Sequence, residues 1–250
     1  MVAAMGDGAA WMMFGLAAVT FLGVSFVVAP YGRHARAGFG PSMPARWAWV
    51  VMESPAVLGL VAFFLLGASP GQPAALVLLG LWLLHYLQRT FVFPFRMRGD
   101  RTMPIFIAAL AFGFNVFNAW LNGSWLSSEG RYPASWLLDP RFIVGAVLFL
   151  LGLGINWWAD EVLRRLRAPG ESGYRIPRGG LYELISCPNY FGELLEWFGF
   201  ALAAWSLPGL AFAVYTAANL VPRALAHHRW YKERFPDYPS SRRALVPGVW

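Results

Sequence analysis

Apolar and polar positions alternate along this chain at the scale of a lipid bilayer. Apolar runs of about 20 residues, the length that crosses a hydrocarbon core, recur through the 250 residues. They fall at about 9–29, 46–67, 73–93, 103–121, 141–159, 190–206 and 209–226, and each predicts a membrane-spanning helix. Glycine and proline punctuate them: Gly67, Pro70, Gly71 and Pro73 close one short turn, and Leu207, Pro208 and Gly209 part the last two runs. The first run is too long for the apolar core of a cleaved signal and has no basic stretch before it. It reads as the first span. The expectation is an all-α bundle of seven transmembrane helices, with residues 1–250 forming a single domain.

Composition agrees. Hydrophobic types make up 58% of the chain and charged types 13%, against roughly a quarter charged in a soluble domain. The formal charge of +7 matters less than its distribution. Eighteen of the 20 Lys and Arg residues lie in the odd-numbered connections and the tail. The other two, Arg131 and Arg141, lie in the fourth connection, 122–140, which is either an ordered cap or a loop. The positive-inside rule then places the N-terminus outside and the C-terminus in the cytosol. That parity requires an odd number of spans. One cysteine, Cys187, rules out an intrachain disulfide.

Polar side chains at bilayer depth are costly and mark function. Trp49 and Glu53 lie four apart on one face of the second span, with Pro55 expected to kink the helix just beyond. His85, Tyr86 and Arg89 cluster near the inner end of the third. Three stripes repeat every fourth residue: Asn156, Asp160 and Arg164; Asn189, Glu193 and Trp197; Arg223, His227 and Tyr231. One stripe alone would be a solvated helix face. Three of them near one membrane boundary point to a shared polar cavity. The fifth connection, 167–180, adds Arg167, Arg175 and Arg178 among glycines and prolines. Guanidinium forks suit phosphate, although anionic lipid heads would also attract them.

Other nucleotide and metal signatures are missing. No G-x-G-x-x-G follows a strand, and there is no Walker A sequence, H-E-x-x-H or cysteine cluster. Adjacent His227 and His228 point about 100° apart on a helix, a poor geometry for one ion. No metal site is expected.

From Gly152 onward the chain resembles the steroid 5-alpha-reductases (3-oxo-5-alpha-steroid 4-dehydrogenases). The likeness runs through Gly154-Ile155-Asn156, Asp160, Leu163-Arg164, Pro169-Gly170-Glu171 and Tyr174-Arg175-Ile176-Pro177. It continues through Gly179-Gly180-Leu181, Asn189, Gly192-Glu193, Glu196-Trp197, Trp205 to Pro208, His227-His228-Arg229 and Asp237-Tyr238-Pro239. Earlier islands are Tyr31 to His34, Pro44-Ala45-Arg46, Glu53, His85-Tyr86 and Arg89 to Val92.

This resemblance implies NADPH-dependent reduction of the 4,5 double bond of 3-oxo-Δ4-steroids. It implies Glu53 and Tyr86 as the catalytic pair at the substrate ketone. It implies Tyr31, Arg98, Asn156, Asp160, Arg167, Tyr174, Arg175, Asn189, Glu193, Arg223, His227 and Tyr231 as cofactor-binding residues. Trp49, Met52, Phe114 and Trp197 are then expected at the substrate. Met52 stands where the family often has Gln. The substrate end falls mainly in 1–125 and the cofactor end mainly in 150–250.

The expected partners are a lipophilic steroid entering from the bilayer and membrane lipid, with no nucleic acid, and the chain is read as a monomer. Alternatives are a related membrane reductase of enoyl-CoA, polyprenols or another sterol bond, a membrane methyltransferase using S-adenosylmethionine, and a transporter. High Ala, Gly and Arg with little Lys favours a bacterial inner membrane over the endoplasmic reticulum.

Overall fold

The computed structural model describes residues 2–27, 30, 32–34, 36, 38–98, 101–128, 132–166 and 173–249. Among them the helices are α1 (Val2–Phe26), α2 (Ala45–Ser54), α3 (Leu60–Leu65), α4 (Pro73–Leu87), α5 (Phe93–Arg96), α6 (Ile105–Leu126), α7 (Pro140–Arg165), α8 (Pro188–Ala204) and α9 (Leu207–Arg234). Helices α2 and α3 form one span through the wide π-turn Pro55–Gly59, and α4 and α5 form another through Gln88–Val92. Five helical stretches are long and apolar enough to cross a membrane: Asp7–Phe26, Ala45–Leu65, Pro73–Arg96, Ile105–Leu126 and Pro140–Arg165. The chain is therefore a multi-pass membrane protein. Its outward faces carry Leu22, Phe26, Leu58, Leu110, Val144 and Leu151, all exposed. Asn118, Asn156, Glu196 and Arg223 are buried. Apolar outside and polar inside is the distribution that lipid demands.

The firmest packing is a glycine seam between α7 and α8. On α7 the inward residues are Gly145, Phe149, Gly152, Asn156 and Ala159, and on α8 they are Gly192, Glu196, Gly199 and Ala203. Both sets step by four and three, the heptad spacing of a left-handed helix pair. A Cβ at Gly192 would lie 2.6 Å from the Gly152 carbonyl oxygen and the Asn156 nitrogen. Only glycine lets the backbones come so close, which is how helices associate without a hydrophobic drive between them.

Several boundaries and details differ from the sequence expectations. The fourth span continues past 121 to Leu126, and α9 continues past 226 to Arg234. Buried polar partners extend α6: Asn122 Nδ2 donates to Asn118 Oδ1 at 2.8 Å. In the fourth connection the described residues 132–139 act as a cap. Tyr132 and Trp136 donate to the carbonyls of Ala204 and Ala203, each at 3.0 Å, so they satisfy two carbonyls at the buried C-terminal end of α8. Pro55, expected to kink the second span, opens the π-turn Pro55–Gly59. Its missing N–H would orphan the Val51 carbonyl, and Ser54 Oγ donates there instead at 2.9 Å. The bundle is also not purely helical. Strand β1 (Ser42–Pro44) pairs antiparallel with β2 (Thr102–Pro104), Met43 opposite Met103. This ribbon fastens the first connection to the third and sets the starts of α2 and α6.

The tail is folded back as a brace. Arg242, 1% exposed, donates to the Pro177 carbonyl at 2.9 Å and to Glu183 at 3.1 Å. Arg243 bridges Ile185 in parallel register. The stretch from Pro177 to Glu183, just after Tyr174 and Arg175, is thereby fastened to the tail.

Candidate active site

Two cavities open inside the bundle. The outer one, about 500 Å³, is lined by Arg33, Arg98, Arg101, Asp160, Tyr174, Arg175, Asn189, Arg223, His227 and Tyr231, among others. The inner one, about 370 Å³, is lined by Trp49, Met52, Glu53, His85, Tyr86, Phe114, Asn115 and Glu193, with Thr20 and Val24 of α1 along one side. Trp49, Arg89, Leu220 and Arg223 belong to both walls, so the cavities meet there.

Helix periodicity builds the floor of the outer cavity. Asn156 donates to the Asn189 carbonyl at 3.0 Å, and Asn189 Nδ2 donates to Asp160 at 3.1 Å. The Arg89 guanidinium donates to Asp160 at 3.2 Å and lies 3.9 Å from Glu193. Its flat face rests on Trp49 and Phe93, at 4.7 and 4.6 Å to the ring centroids. The first two stripes are thus joined through Arg89. Asn156 itself lies behind the wall, orienting Asn189. Arg164 lines the outer cavity too, paired there with Glu161 at 2.6 Å.

The rim is an aromatic cage around Arg33, a residue the sequence reading passed over. Its guanidinium lies 4.8 Å from the Tyr231 ring centroid, 5.2 Å from Trp230 and 5.6 Å from Tyr174. Beside it, burial pushes the His34 imidazole down to about 4, helped by the guanidiniums of Arg33, Arg223 and Arg36. His34 packs 5.0 Å from His227. The field here is strongly positive. On the brace, the Glu183 carboxyl is lowered because it accepts the Gly179 N–H and faces Arg242.

The residues of the outer cavity fit a phosphate-bearing dinucleotide. Three of its buried nitrogens have no partner among the described residues: Arg33 Nη1, Trp157 Nε1 and His227 Nδ1. Buried polar groups are ordinarily satisfied. A cluster of orphaned nitrogens among arginines is therefore a ready-made receptor for an anion with many acceptor oxygens. Arg98, Tyr174, Arg175, Arg223 and Tyr231 stand around the same space. Tyr31 and Arg167, also expected at the cofactor, lie outside the described residues.

In the inner cavity each expected residue has a firm support. Asn115 Nδ2 donates to Glu53 Oε2 at 3.1 Å and to the Met52 carbonyl at 2.7 Å. Tyr86 stacks on Trp82, centroids 5.2 Å apart, and the Trp82 indole donates to the Ala56 carbonyl within the π-turn at 2.8 Å. Phe114 stacks on Tyr215 at 3.8 Å. Trp197 is absent from the walls of both cavities; it lies 1% exposed behind Tyr86, ring centroids 5.5 Å apart. Asn115 was missed although Asn118 and Asn122 follow it at helical spacing, because nothing local to α6 shows that it meets Glu53 of α2. Arg33 was given no role although it lies in the Tyr31 to His34 stretch, because nothing local shows that it reaches Tyr231 and Trp230 of α9.

Comparison with known proteins shows the family of the chain. The model of the family described as 3-oxo-5-alpha-steroid 4-dehydrogenase matches residues 101–250. The chain is 46% identical over 249 residues to a 3-oxo-5-alpha-steroid 4-dehydrogenase 1 of Bos taurus, covering 96% of this chain and 95% of the relative. It is 44% identical to the protein of that name in Rattus norvegicus, covering 94% and 91%. It is 42% identical to a steroid 5-alpha-reductase DET2 of Gossypium hirsutum, covering 94% and 93%. These relatives are animal and plant proteins and lend no support to the expectation of a bacterial membrane. With nearly the full length matched, the chain belongs to the 3-oxo-5-alpha-steroid 4-dehydrogenase family, the steroid 5-alpha-reductases, oxidoreductases acting on CH–CH groups.

Proposed function

We propose that this protein reduces the 4,5 double bond of a 3-oxo-Δ4-steroid to the 5α-3-oxosteroid, with NADPH held in the outer cavity and the steroid in the inner one. The observation that carries the reading is the meeting of the two cavities at Trp49, Arg89, Leu220 and Arg223, one side cationic and the other holding Glu53 and Tyr86. NADPH bound in the outer cavity would supply the hydride for C5. The arginines and orphaned nitrogens of that cavity would hold its phosphates, and Asp160, Asn189 and Glu193 would orient its inner end.

Tyr86 donates a hydrogen bond to the ketone oxygen, with Glu53 on the same oxygen or on the phenol. Negative charge develops on that oxygen as C5 is reduced, and fixed donors in a dry site stabilise it most. Asn115 keeps the Glu53 carboxyl in place. Trp49, Met52 and Phe114 give the rings of the steroid an apolar bed, and Trp197 backs Tyr86. The steroid enters from the bilayer, past α1.

In the same reading α8 and α9 are the sixth and seventh crossings, the N-terminus is outside, the C-terminus is cytosolic, and the monomer is the working unit. The basic connections and tail support that orientation.

The test is NADPH oxidation by detergent-purified protein with and without testosterone or progesterone, the product identified by mass. A gain of two hydrogens that depends on NADPH is the expected result. NADPH binding without steroid reduction would redirect the substrate assignment to another enone or to enoyl-CoA or polyprenol substrates.

A further inference from the structure

The inner cavity contains a polar pair that the proposed reaction leaves unused. His85 lines this cavity, its ring centroid 4.9 Å from that of Tyr86. Its Nδ1 meets Glu196 Oε1 of α8 at 2.9 Å. Glu196 is 0% exposed, and its second carboxyl oxygen has no partner among the described residues. The other ring nitrogen of His85, Nε2, has no hydrogen-bond partner among the described residues, and the ring lies on the cavity wall. Trp197 packs on the imidazole edge to face at 4.8 Å and fixes its plane.

A tie between α4 and α8 does not call for such a pair. Removing two ionisable groups from water is costly, and apolar residues of similar volume join helices as well or better. The arrangement is the one used in proton transfer: an imidazole facing the reaction space, oriented from behind by a carboxyl group. A single proton between Nδ1 and Oε1 keeps the pair neutral in its dry setting.

We propose that His85, relayed by Glu196, delivers the proton to C4 in the reduction described above. The inference rests on that reading. When hydride adds at C5, the C4–C5 π bond breaks and its electron pair moves into the enolate spanning C4, C3 and the oxygen held by Tyr86. Completion requires a new C–H bond at C4 as the C3 ketone re-forms. C4 is bonded to C3, so its donor must stand beside the group that holds the ketone. His85 is the chain neighbour of Tyr86, and the two rings touch. The Nε2 proton passes to C4, and Nδ1 takes up the proton carried by Glu196 Oε1. The imidazole stays neutral, and the negative charge of the enolate ends on the Glu196 carboxylate. A proton from solvent restores the pair before the next turnover.

The proton step can be read apart from hydride transfer. The protein is incubated in D₂O with NADP⁺ and a saturated 5α-3-oxosteroid, and deuterium entry at C4 is followed by mass and NMR. The wild-type protein is expected to exchange C4 hydrogen faster than buffer alone. His85→Gln is expected to slow exchange and kcat together by about 100-fold, in the range of general acid–base contributions, while NADPH binds as before. Should His85→Gln lose NADPH binding through misfolding, the isosteric Glu196→Gln carries the test, and unchanged exchange there overturns the relay. Exchange and kcat close to wild type in His85→Gln also overturn it, as does a wild-type protein that reduces the enone without exchanging C4. A wild-type protein that reduces no enone overturns the underlying reading, and the relay falls with it.

Discussion

The two cavities share four wall residues but differ in how far their polar groups are partnered. In the inner cavity the Glu53 carboxyl and one nitrogen of His85 are held by Asn115 and Glu196. In the outer cavity Arg33, Trp157 and His227 each keep a nitrogen without a partner among the described residues. The first arrangement is preorganised for chemistry on an uncharged molecule. The second is unfinished until a polyanion completes it. The inner groups sit on helices, where backbone geometry sets direction, whereas much of the outer set comes from connections and helix ends braced by the tail.

That contrast can be broken at graded cost. Tyr86→Phe removes the donor at the ketone. It is expected to lower kcat by about 100- to 1,000-fold with NADPH affinity retained, as read by steady-state kinetics and by cofactor titration. Near-normal turnover would remove Tyr86 from the chemistry. Arg33→Ala acts on the other cavity. It removes a charge-assisted contact of about 1.5–3 kcal/mol, so NADPH affinity should fall about 10- to 100-fold while turnover at saturating NADPH changes little. An equal loss of kcat would mean that the two cavities are not separable in this way.

Asn115→Ala keeps Glu53 but removes its support. Leaving a buried acceptor unsatisfied costs roughly 1–3 kcal/mol, and kcat should drop about 10-fold without a change in NADPH affinity. The smallest effect concerns pH. His34 sits at about 4 because of burial and neighbouring guanidiniums. Bound phosphate would counter those charges and raise it. Between about 4 and the ordinary histidine value near 6.5, binding NADPH should therefore take up protons, and affinity should strengthen as pH falls through that window. Calorimetry in buffers of different ionisation enthalpy measures the uptake, and His34→Gln should abolish it. Uptake that persists in the variant would assign it to another group.

The polar stripes show what periodicity can and cannot reveal. Asn156, Asp160, Asn189 and Glu193 converge, as the repeat of four on two neighbouring helices implied, because residues so spaced share a face. Trp197 continues its stripe on paper but points into the aromatic core, since one more turn of α8 carries it past the cavities. The glycine seam was also present as a pattern, with Gly145 and Gly152 seven apart and Gly192 and Gly199 seven apart. Its meaning depends on knowing that α7 and α8 are packed together. The same limit applies to His85 and Glu196, which are 111 residues apart. No local rule pairs positions so distant.

By itself the sequence determined that the chain lives in lipid, where its apolar runs begin and roughly end, and that polar residues gather near one end of the bundle. Those properties follow from transfer energies and helical repeat, which act locally along the chain. The tertiary structure decided which polar residues meet, that Arg33 reaches the aromatic rim, that the β1–β2 ribbon ties two connections together, and that Asn115 holds Glu53. These depend on close approach between segments remote in sequence, set by glycines and by the need to satisfy every polar group where no water can.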